Sequence, residues 1–476
     1  MNRSLFVILF LALGLTGFGQ NKLTGFAPDF LGEKVVLYTY QDYVSQSRIQ
    51  IGEGTVNPAD STFEIVYNTN STIKGVIEID RTESSLYLAP NTNYEVYFPK
   101  SVEPASYKNA ETNLYFNGLD TTDINYRILQ YHQWFDMYIS YHQKAVAKGG
   151  FRVYLDTFKL YAADAYKNYD DPFFITYVRY DIAEMEQTYG GNRKSETRLK
   201  TYLEYIESFP VYHENDRYMK FILAFYDKEF REYLPVTEEA IWSAIQDKSP
   251  TKLMRAMKSD ILLAAPELRE LIMIDKLGKA FYREIELRPN IIAVLDSIES
   301  HSVYQENASV ARNIKNYITS LEPGYPAPAI QIEKAPEEFV VWQDYKGRYV
   351  YFNFFAAWNE ESVQDMEIIH RLVTEYGQDI SFLSVSTDPD KAAFDAFMEA
   401  HPEYDWDIYH IGEDQALMNA YKVANVPSYY LIDQEGFISA APAMPPSPNG
   451  EYESIESVFF KIKEALHPRQ RIGVGR

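Results

Sequence analysis

The period of the hydrophobic pattern changes twice along this chain of 476 residues, and this change constrains the fold more than any single motif. Apolar and polar residues alternate between about residues 22 and 100, as in TFEIVYN, which predicts short half-buried strands. Between about residues 121 and 322 the apolar residues recur at helical spacing, and beyond that strand-like and helix-like segments alternate. The chain is too long for one ordinary core, so we expect several domains.

The pattern predicts a multidomain protein with an N-terminal β-sandwich, an all-α helical middle and a C-terminal α/β domain. The proline-rich stretch EPGYPAPAIQIEKAPEE marks the boundary between the last two parts. The predicted divisions are a signal peptide at 1–20, the β-sandwich at 21–118, the helical domain at 119–322, the α/β domain at 323–468 and a basic tail at 469–476.

The first 20 residues have the composition of an export signal. Arg3 supplies a positive start, residues 5–15 form an apolar run, and Gly17 and Gly19 are small residues suited to a signal peptidase. The run is shorter than the ~20 apolar residues that span a bilayer, and no later segment has the character of a membrane span. We therefore expect a protein secreted across the inner membrane to the periplasm or cell envelope, and not a membrane-spanning one.

Net charge and amino-acid composition limit the classes of partner and of chemistry that we expect. The formal net charge is −23, and an acidic surface repels phosphate groups, so nucleic acid is not an expected partner. The 40 tyrosines supply half-polar rings that serve protein cores and binding faces alike. Cysteine is absent from the sequence, so the chain has no thiol and forms no disulfide.

The segment AAWNEES at residues 356–362 follows the apolar run YVYFNFF. It has the form of the thioredoxin signature W-C-x-x-C, with Asn359 and Ser362 where the two cysteines would stand. The surrounding stretches YPAPAIQI, WQDYKGRYVYFNFFAAW, ISFLSVSTDPDKAAFDAFMEAH and AYKVANVPSYYLIDQEGFI follow in the order of a family's landmarks. In these stretches the chain resembles the thioredoxin-like envelope proteins of the TlpA/ResA type.

This resemblance implies a thioredoxin-like fold for residues 323–468. It places Pro427 at the family's cis-proline and Asp433 and Gly436 in the turn that follows the next strand. The segments LTGFAPDFLGEKVVLYTY and IGEGTVNPADSTFEIVY resemble the β-sandwich often found ahead of such domains.

The sequence differs from the family at the two residues that carry out its redox chemistry. Thiol–disulfide exchange needs a thiolate, which neither the Asn359 amide nor the Ser362 hydroxyl provides. Asn359 is instead a good N-cap, and Glu360 and Glu361 favour a helix start because acidic groups there interact well with the helix dipole. We therefore expect a redox-inactive domain with no catalytic residue and no cofactor.

Binding is the function that the motif can keep. The resemblance implies that the residue before the cis-proline offers its backbone to an extended peptide, which places Val426 and Pro427 at a peptide site. Trp358, Asn359, Glu360 and Glu361 complete this predicted binding face. The alternative interpretation, that Pro427 only shapes a turn, is left open by the sequence.

The leading hypothesis is a non-catalytic binding or scaffolding component of the cell envelope, whose partner is an envelope protein or an extended peptide. The alternatives are a thiol–disulfide oxidoreductase-type role in envelope redox homeostasis, and binding of a glycan or peptide by the tyrosine-rich helical domain. A metal site is not expected, since the pairs His132 with Asp136 and Glu361 with Asp365 supply only two ligands each.

Overall fold

The structure is a computed structural model that describes residues 21–80, 82–100, 110–190, 195–335, 338–411, 415–447 and 454–467. The signal peptide predicted at 1–20 and the basic tail predicted at 469–476 lie outside the described residues. Among the helices of the described ranges, each is too short or too polar to cross a lipid bilayer.

The N-terminal region is built from short strands in two sheets. The strands are β1 (Asn21–Phe26), β2 (Lys34–Tyr40), β3 (Arg48–Thr55), β4 (Thr62–Tyr67), β5 (Ile73–Ile79), β6 (Thr82–Leu88), β7 (Tyr94–Tyr97), β8 (Ala110–Glu111) and β9 (Tyr115–Phe116). The first sheet has the order β4-β1-β7-β9 and the second β3-β2-β5-β6-β8. Leu23 and Ile65 of the first sheet share one hydrophobic core with Leu37 and Ile77 of the second. The strand-rich character is confirmed, whereas the sandwich architecture and its boundaries stay predictions.

The middle of the chain is helical, as predicted. Its helices are α1 (Ile124–Tyr141), α2 (Gln143–Ala145), α3 (Phe151–Ala165), α4 (Pro172–Gly190), α5 (Ser195–Tyr205), α6 (Asp216–Phe225), α7 (Pro235–Gln246), α8 (Pro250–Met257), α9 (Pro266–Arg283), α10 (Arg288–His301) and α11 (Gln305–Thr319). The pattern missed α3 and α8. The glycines expected to end the first helical segment only redirect it, because Gly149 takes a positive φ of 91° inside a π-helical turn and α3 begins at Phe151.

The C-terminal region alternates strands and helices, also as predicted. The strands are β10 (Ile332–Ala335), β11 (Glu338–Val340), β12 (Tyr349–Phe355), β13 (Ile380–Ser386), β14 (Asp407–His410), β15 (Ser428–Ile432) and β16 (Ile438–Ala440). The helices are α12 (Glu360–Tyr376), α13 (Lys391–Ala400), α14 (Gln415–Ala420) and α15 (Ile455–Leu466). A sheet of order β14-β13-β12-β15-β16 has apolar cores on both faces, which explains why β12 is an almost unbroken apolar run.

The register of this sheet determines which loops lie close together at the carboxyl end of β12. Strand β12 runs parallel to β13 and antiparallel to β15, with Phe354 opposite Ser428. The carboxyl end of β12 therefore lies beside the start of β15. The residues that follow β12 are consequently close to the residues that precede β15.

The helical middle contacts the regions on either side. The Asn313 amide donates a hydrogen bond of 2.8 Å to the Asp42 carboxylate of the strand-rich region. The Lys422 ammonium of the C-terminal region donates one of 2.7 Å to the Tyr317 carbonyl.

Candidate functional site

The turn between β12 and α12 carries the two positions where the signature has cysteines. Asn359 has the extended backbone of an N-cap (φ −94°, ψ 115°), and its Oδ1 accepts a hydrogen bond of 2.8 Å from the Ser362 backbone N–H. Glu360 and Glu361 are exposed in the first turn of the helix. The predicted capping role of Asn359 is therefore confirmed.

The same asparagine joins this turn to the loop before β15. The Val426–Pro427 peptide bond is cis, and the Asn359 Nδ2 donates a hydrogen bond of 3.3 Å to the Val426 carbonyl. These partners are 67 residues apart in sequence. One side chain thus uses its oxygen to cap α12 and its nitrogen to hold the neighbouring loop.

The six residues predicted as a binding face differ in what they expose. The Trp358 side chain is 59% exposed, Glu360 and Glu361 are also exposed, and Asn359 and Pro427 are half-buried. The Val426 side chain is buried in the core beneath the sheet, so Val426 can offer a ligand only its backbone. The exposed side chains of this face are the Trp358 indole and the Glu360 and Glu361 carboxylates.

A buried carboxylate on α12 connects this helix to β15 and to the segment around Ser447. Asp365, one turn after Glu361, accepts hydrogen bonds from the hydroxyls of Tyr429 and Ser447 and is 2% exposed. Burial and the hydrogen bond to Asp365 raise the pKa of Tyr429 well above that of a free tyrosine, so this phenol stays neutral and donates. Ser362 is 1% exposed, and its hydroxyl has no hydrogen-bond partner among the described residues.

Sequence reasoning missed Asp388, which holds the turn in front of Trp358. This carboxylate is 1% exposed and accepts the Ala357 N–H at 2.9 and 3.0 Å and the Ser386 hydroxyl at 2.7 Å. Asp388 follows β13, whose carboxyl end lies beside that of the parallel strand β12. A short acidic residue two positions after a buried parallel strand was the signal that could have identified it.

The two residue pairs considered as metal ligands make other contacts in the structure. Asp365 is occupied by hydroxyl donors while Glu361 faces solvent. The His132 ring is hydrogen-bonded to the Tyr177 hydroxyl at 2.7 Å, and burial lowers the pKa of His132. In the described ranges, no group of three or more His, Asp or Glu side chains is placed to hold a metal ion.

Replacing the bridging asparagine tests this geometry. We expect Asn359→Ala to lower the free energy of unfolding by about 1–2 kcal/mol, because the N-cap hydrogen bond is lost and the Val426 carbonyl loses a donor. Urea denaturation measures the change. The neighbouring variant Glu360→Gln keeps both Asn359 bonds and serves as the control, with an expected change below about 0.5 kcal/mol. Equal stability of Asn359→Ala and the parent would show that these bonds contribute nothing.

The C-terminal region is similar to known proteins. The profile of the AhpC/TSA family matches residues 323–441. The thioredoxin-like protein YneN of Bacillus subtilis (strain 168) is 26% identical over 121 residues, which cover 25% of this chain and 69% of YneN. The thiol-disulfide oxidoreductase ResA of the same organism is 24% identical over 155 residues, which cover 32% of this chain and 82% of ResA.

One solved structure resembles part of this chain. The thioredoxin domain of a thiol-disulfide oxidoreductase from Bacteroides vulgatus is 21% identical, with a TM-score of 0.26, and the match covers 31% of this chain and 99% of that domain. The C-terminal region is thus a thioredoxin-like domain homologous to YneN and ResA. Its TlpA type and its boundaries at 323 and 468 stay predictions.

Proposed function

We propose that this chain is an exported, redox-inactive thioredoxin-like protein that binds a protein or an extended peptide in the cell envelope and catalyses no reaction. The observation that carries the proposal is the absence of cysteine from all 476 residues. Exchange at a disulfide requires a thiolate to attack sulfur, and the two positions of the signature hold an amide and a hydroxyl instead. No other residue of this chain can replace that thiolate.

The binding face supports a peptide in extended conformation. A strand added to a protein gains its affinity from main-chain hydrogen bonds and needs no thiol. The Val426 carbonyl has two lone pairs, of which the Asn359 amide uses one, so a peptide N–H can bind the second or displace the amide. The exposed Trp358 ring offers an apolar surface beside it.

Charge indicates the character of the partner. Glu360 and Glu361 are exposed next to Trp358, and the chain as a whole carries a net charge of −23. Opposite charge across an interface steers association and suppresses wrong partners. We therefore propose that the bound segment carries lysine or arginine beside an apolar residue.

The alternative function is a role in thiol–disulfide exchange, which one observation favours: the homologue ResA is a thiol-disulfide oxidoreductase. In that role, this chain would position a partner whose own cysteines exchange. Secretion to the periplasm or cell envelope belongs to the proposal through the export signal expected at residues 1–20.

Replacing Trp358 with a photo-crosslinking amino acid tests whether the proposed face contacts a partner. A benzophenone amino acid at position 358 should give discrete adducts in living cells, and the attached segment should be basic. The combined variant Glu360→Lys and Glu361→Lys should remove these adducts because it reverses the charge of the face. The control carries the same crosslinker at Tyr141, which is 87% exposed on the helical region. Identical adducts from both positions, or adducts that survive charge reversal, would refute the proposed face.

A further inference from the structure

A cleft in the helical region has the features of a second binding site, independent of the thioredoxin-like domain. It lies between α3 and α4, is also lined by the last two residues of α5, and has a volume of about 450 Å³. A cleft of this size accommodates a small organic ligand. Its apolar wall consists of Ala162 and Ala163 on α3 and Ile175, Val178 and Ile182 on α4.

The cleft follows from the residues on the two facing helix surfaces. The α4 residues Ile175, Val178 and Ile182 are three and four positions apart and therefore lie on one face. Small Ala162 and Ala163 stand on the face of α3 that lines the cleft. Two alanines opposite three branched side chains leave space that larger residues would fill.

Aromatic rings border the cleft where α3 ends. Tyr166 and Tyr169 line it, with ring centroids 5.1 Å apart and planes at 79°. Tyr169 is 41% exposed and Tyr166 is half-buried, so parts of both rings remain open to contact. Burial raises the pKa of Tyr166 to about 12, and its hydroxyl therefore remains a neutral hydrogen-bonding group.

Three cationic side chains line the cleft, and two of them form ion pairs with carboxylates of the protein. The Lys159 ammonium donates to Glu186 at 3.0 Å and also contacts Glu204. Lys167 pairs with Asp164 at 2.8 Å.

The third cation, Arg179, makes no ion pair with any residue in the described ranges. Its guanidinium lies over the Phe209 ring at 4.2 Å. The Arg179 guanidinium donates no hydrogen bond to a described residue, so its N–H groups are available to a ligand.

We propose that this cleft binds a small amphipathic carboxylate, with an aromatic or short acyl body on the apolar wall and the carboxylate on Arg179. The planar guanidinium fork matches a carboxylate with two parallel hydrogen bonds. A second cavity of about 390 Å³, between β6 and α1, lacks such an available cation. There Arg48 pairs with Glu83 at 2.9 Å, and Lys74 pairs with Asp216 at 3.2 Å.

A matched pair of ligands tests the proposal on the full chain. Isothermal titration calorimetry should show binding of 4-phenylbutyrate and none of 4-phenylbutylamine, which has the same body and the opposite charge. Arg179→Gln should weaken binding of 4-phenylbutyrate roughly 10- to 100-fold, the loss expected for a charge-assisted hydrogen bond. Arg152→Gln, an exposed arginine of α3 that does not line the cleft, should leave the affinity unchanged.

A second variant tests whether the ligand occupies the cleft. Ala163→Trp should abolish binding because the indole fills the cleft, and Ala165→Trp should not, because Ala165 is exposed on the same helix and does not line it. Circular dichroism of both variants checks that the helices are retained, and Ala163→Trp decides the matter if Arg179→Gln fails to fold. Absence of binding by the parent, equal binding of the amine, or full affinity in Ala163→Trp would overturn the proposal.

Discussion

Raising the pH above about 10 should unfold the helical region of this protein within roughly one pH unit, because its buried tyrosines must stay neutral to remain buried. Seven tyrosines are among the largest fully buried side chains: Tyr131, Tyr177, Tyr180, Tyr218, Tyr226, Tyr351 and Tyr421. Burial is the main cause that raises the pKa of each of them above the value of an exposed tyrosine.

The sign of the effect follows from linkage. A group whose folded pKa is raised contributes stability that is fully present below its unfolded pKa, here about 10, and that is lost as the pH rises toward the folded pKa. At about pH 11 each such tyrosine destabilises the folded state by about 1.4 kcal/mol, which makes roughly 7 kcal/mol for the five in the helical region. That lies within the roughly 5–15 kcal/mol of total stability of a folded domain, so unfolding of the helical region is the expected result.

Parallel measurements of circular dichroism and phenolate absorbance against pH check this prediction. Loss of secondary structure and a steep rise of phenolate absorbance should coincide. Tyr218→Phe should make the transition less steep by about one proton, because Tyr218 is buried in the helical core. Tyr141→Phe is the control, because its ring is 87% exposed and does not belong to the buried set. Gradual ionisation of all tyrosines near pH 10 with the fold retained would contradict the prediction.

Installing cysteine at both signature positions should create a chemistry that the parent lacks. We expect the double variant Asn359→Cys and Ser362→Cys to form a disulfide under mild oxidant and to catalyse the reduction of insulin by dithiothreitol. The Asn359 side chain already lies within hydrogen-bonding distance of the Ser362 backbone N–H, so the two positions face each other across the first helical turn. The helix N-terminus favours a thiolate at position 359, although Glu360 and Glu361 weaken this effect.

The single variants Asn359→Cys and Ser362→Cys are the controls, together with the parent. Each single variant should retain one free thiol and, like the parent, show no insulin turnover above the uncatalysed rate. Thiol labelling after oxidation measures closure directly. Two freely labelled thiols in the oxidised double variant would show that these positions do not correspond to a redox pair.

Patterns within a few residues were the most predictable part of this protein. The change of hydrophobic period predicted the strand-rich, helical and α/β regions, because burial of one face imposes a period of two on a strand and of 3.6 on a helix. The N-cap at Asn359 was predictable because its hydrogen bond reaches only three residues ahead. Helices α3 and α8 were missed.

The order of landmarks between YPAPAIQI and DQEGFI predicted the thioredoxin-like domain, and the matched family profile agrees. The sequence by itself also determined that this domain has no thiol of its own, since cysteine is absent from all 476 residues.

Only the tertiary structure decided how the site is assembled. The hydrogen bond from Asn359 to Val426, the inward direction of the Val426 side chain and the hold of Asp388 on the turn depend on how β12, β13 and β15 are ordered in the sheet. The cleft beside Arg179 depends equally on how closely α3 and α4 approach. Contacts between distant segments arise from the packing of whole elements, which a local pattern of residues does not specify.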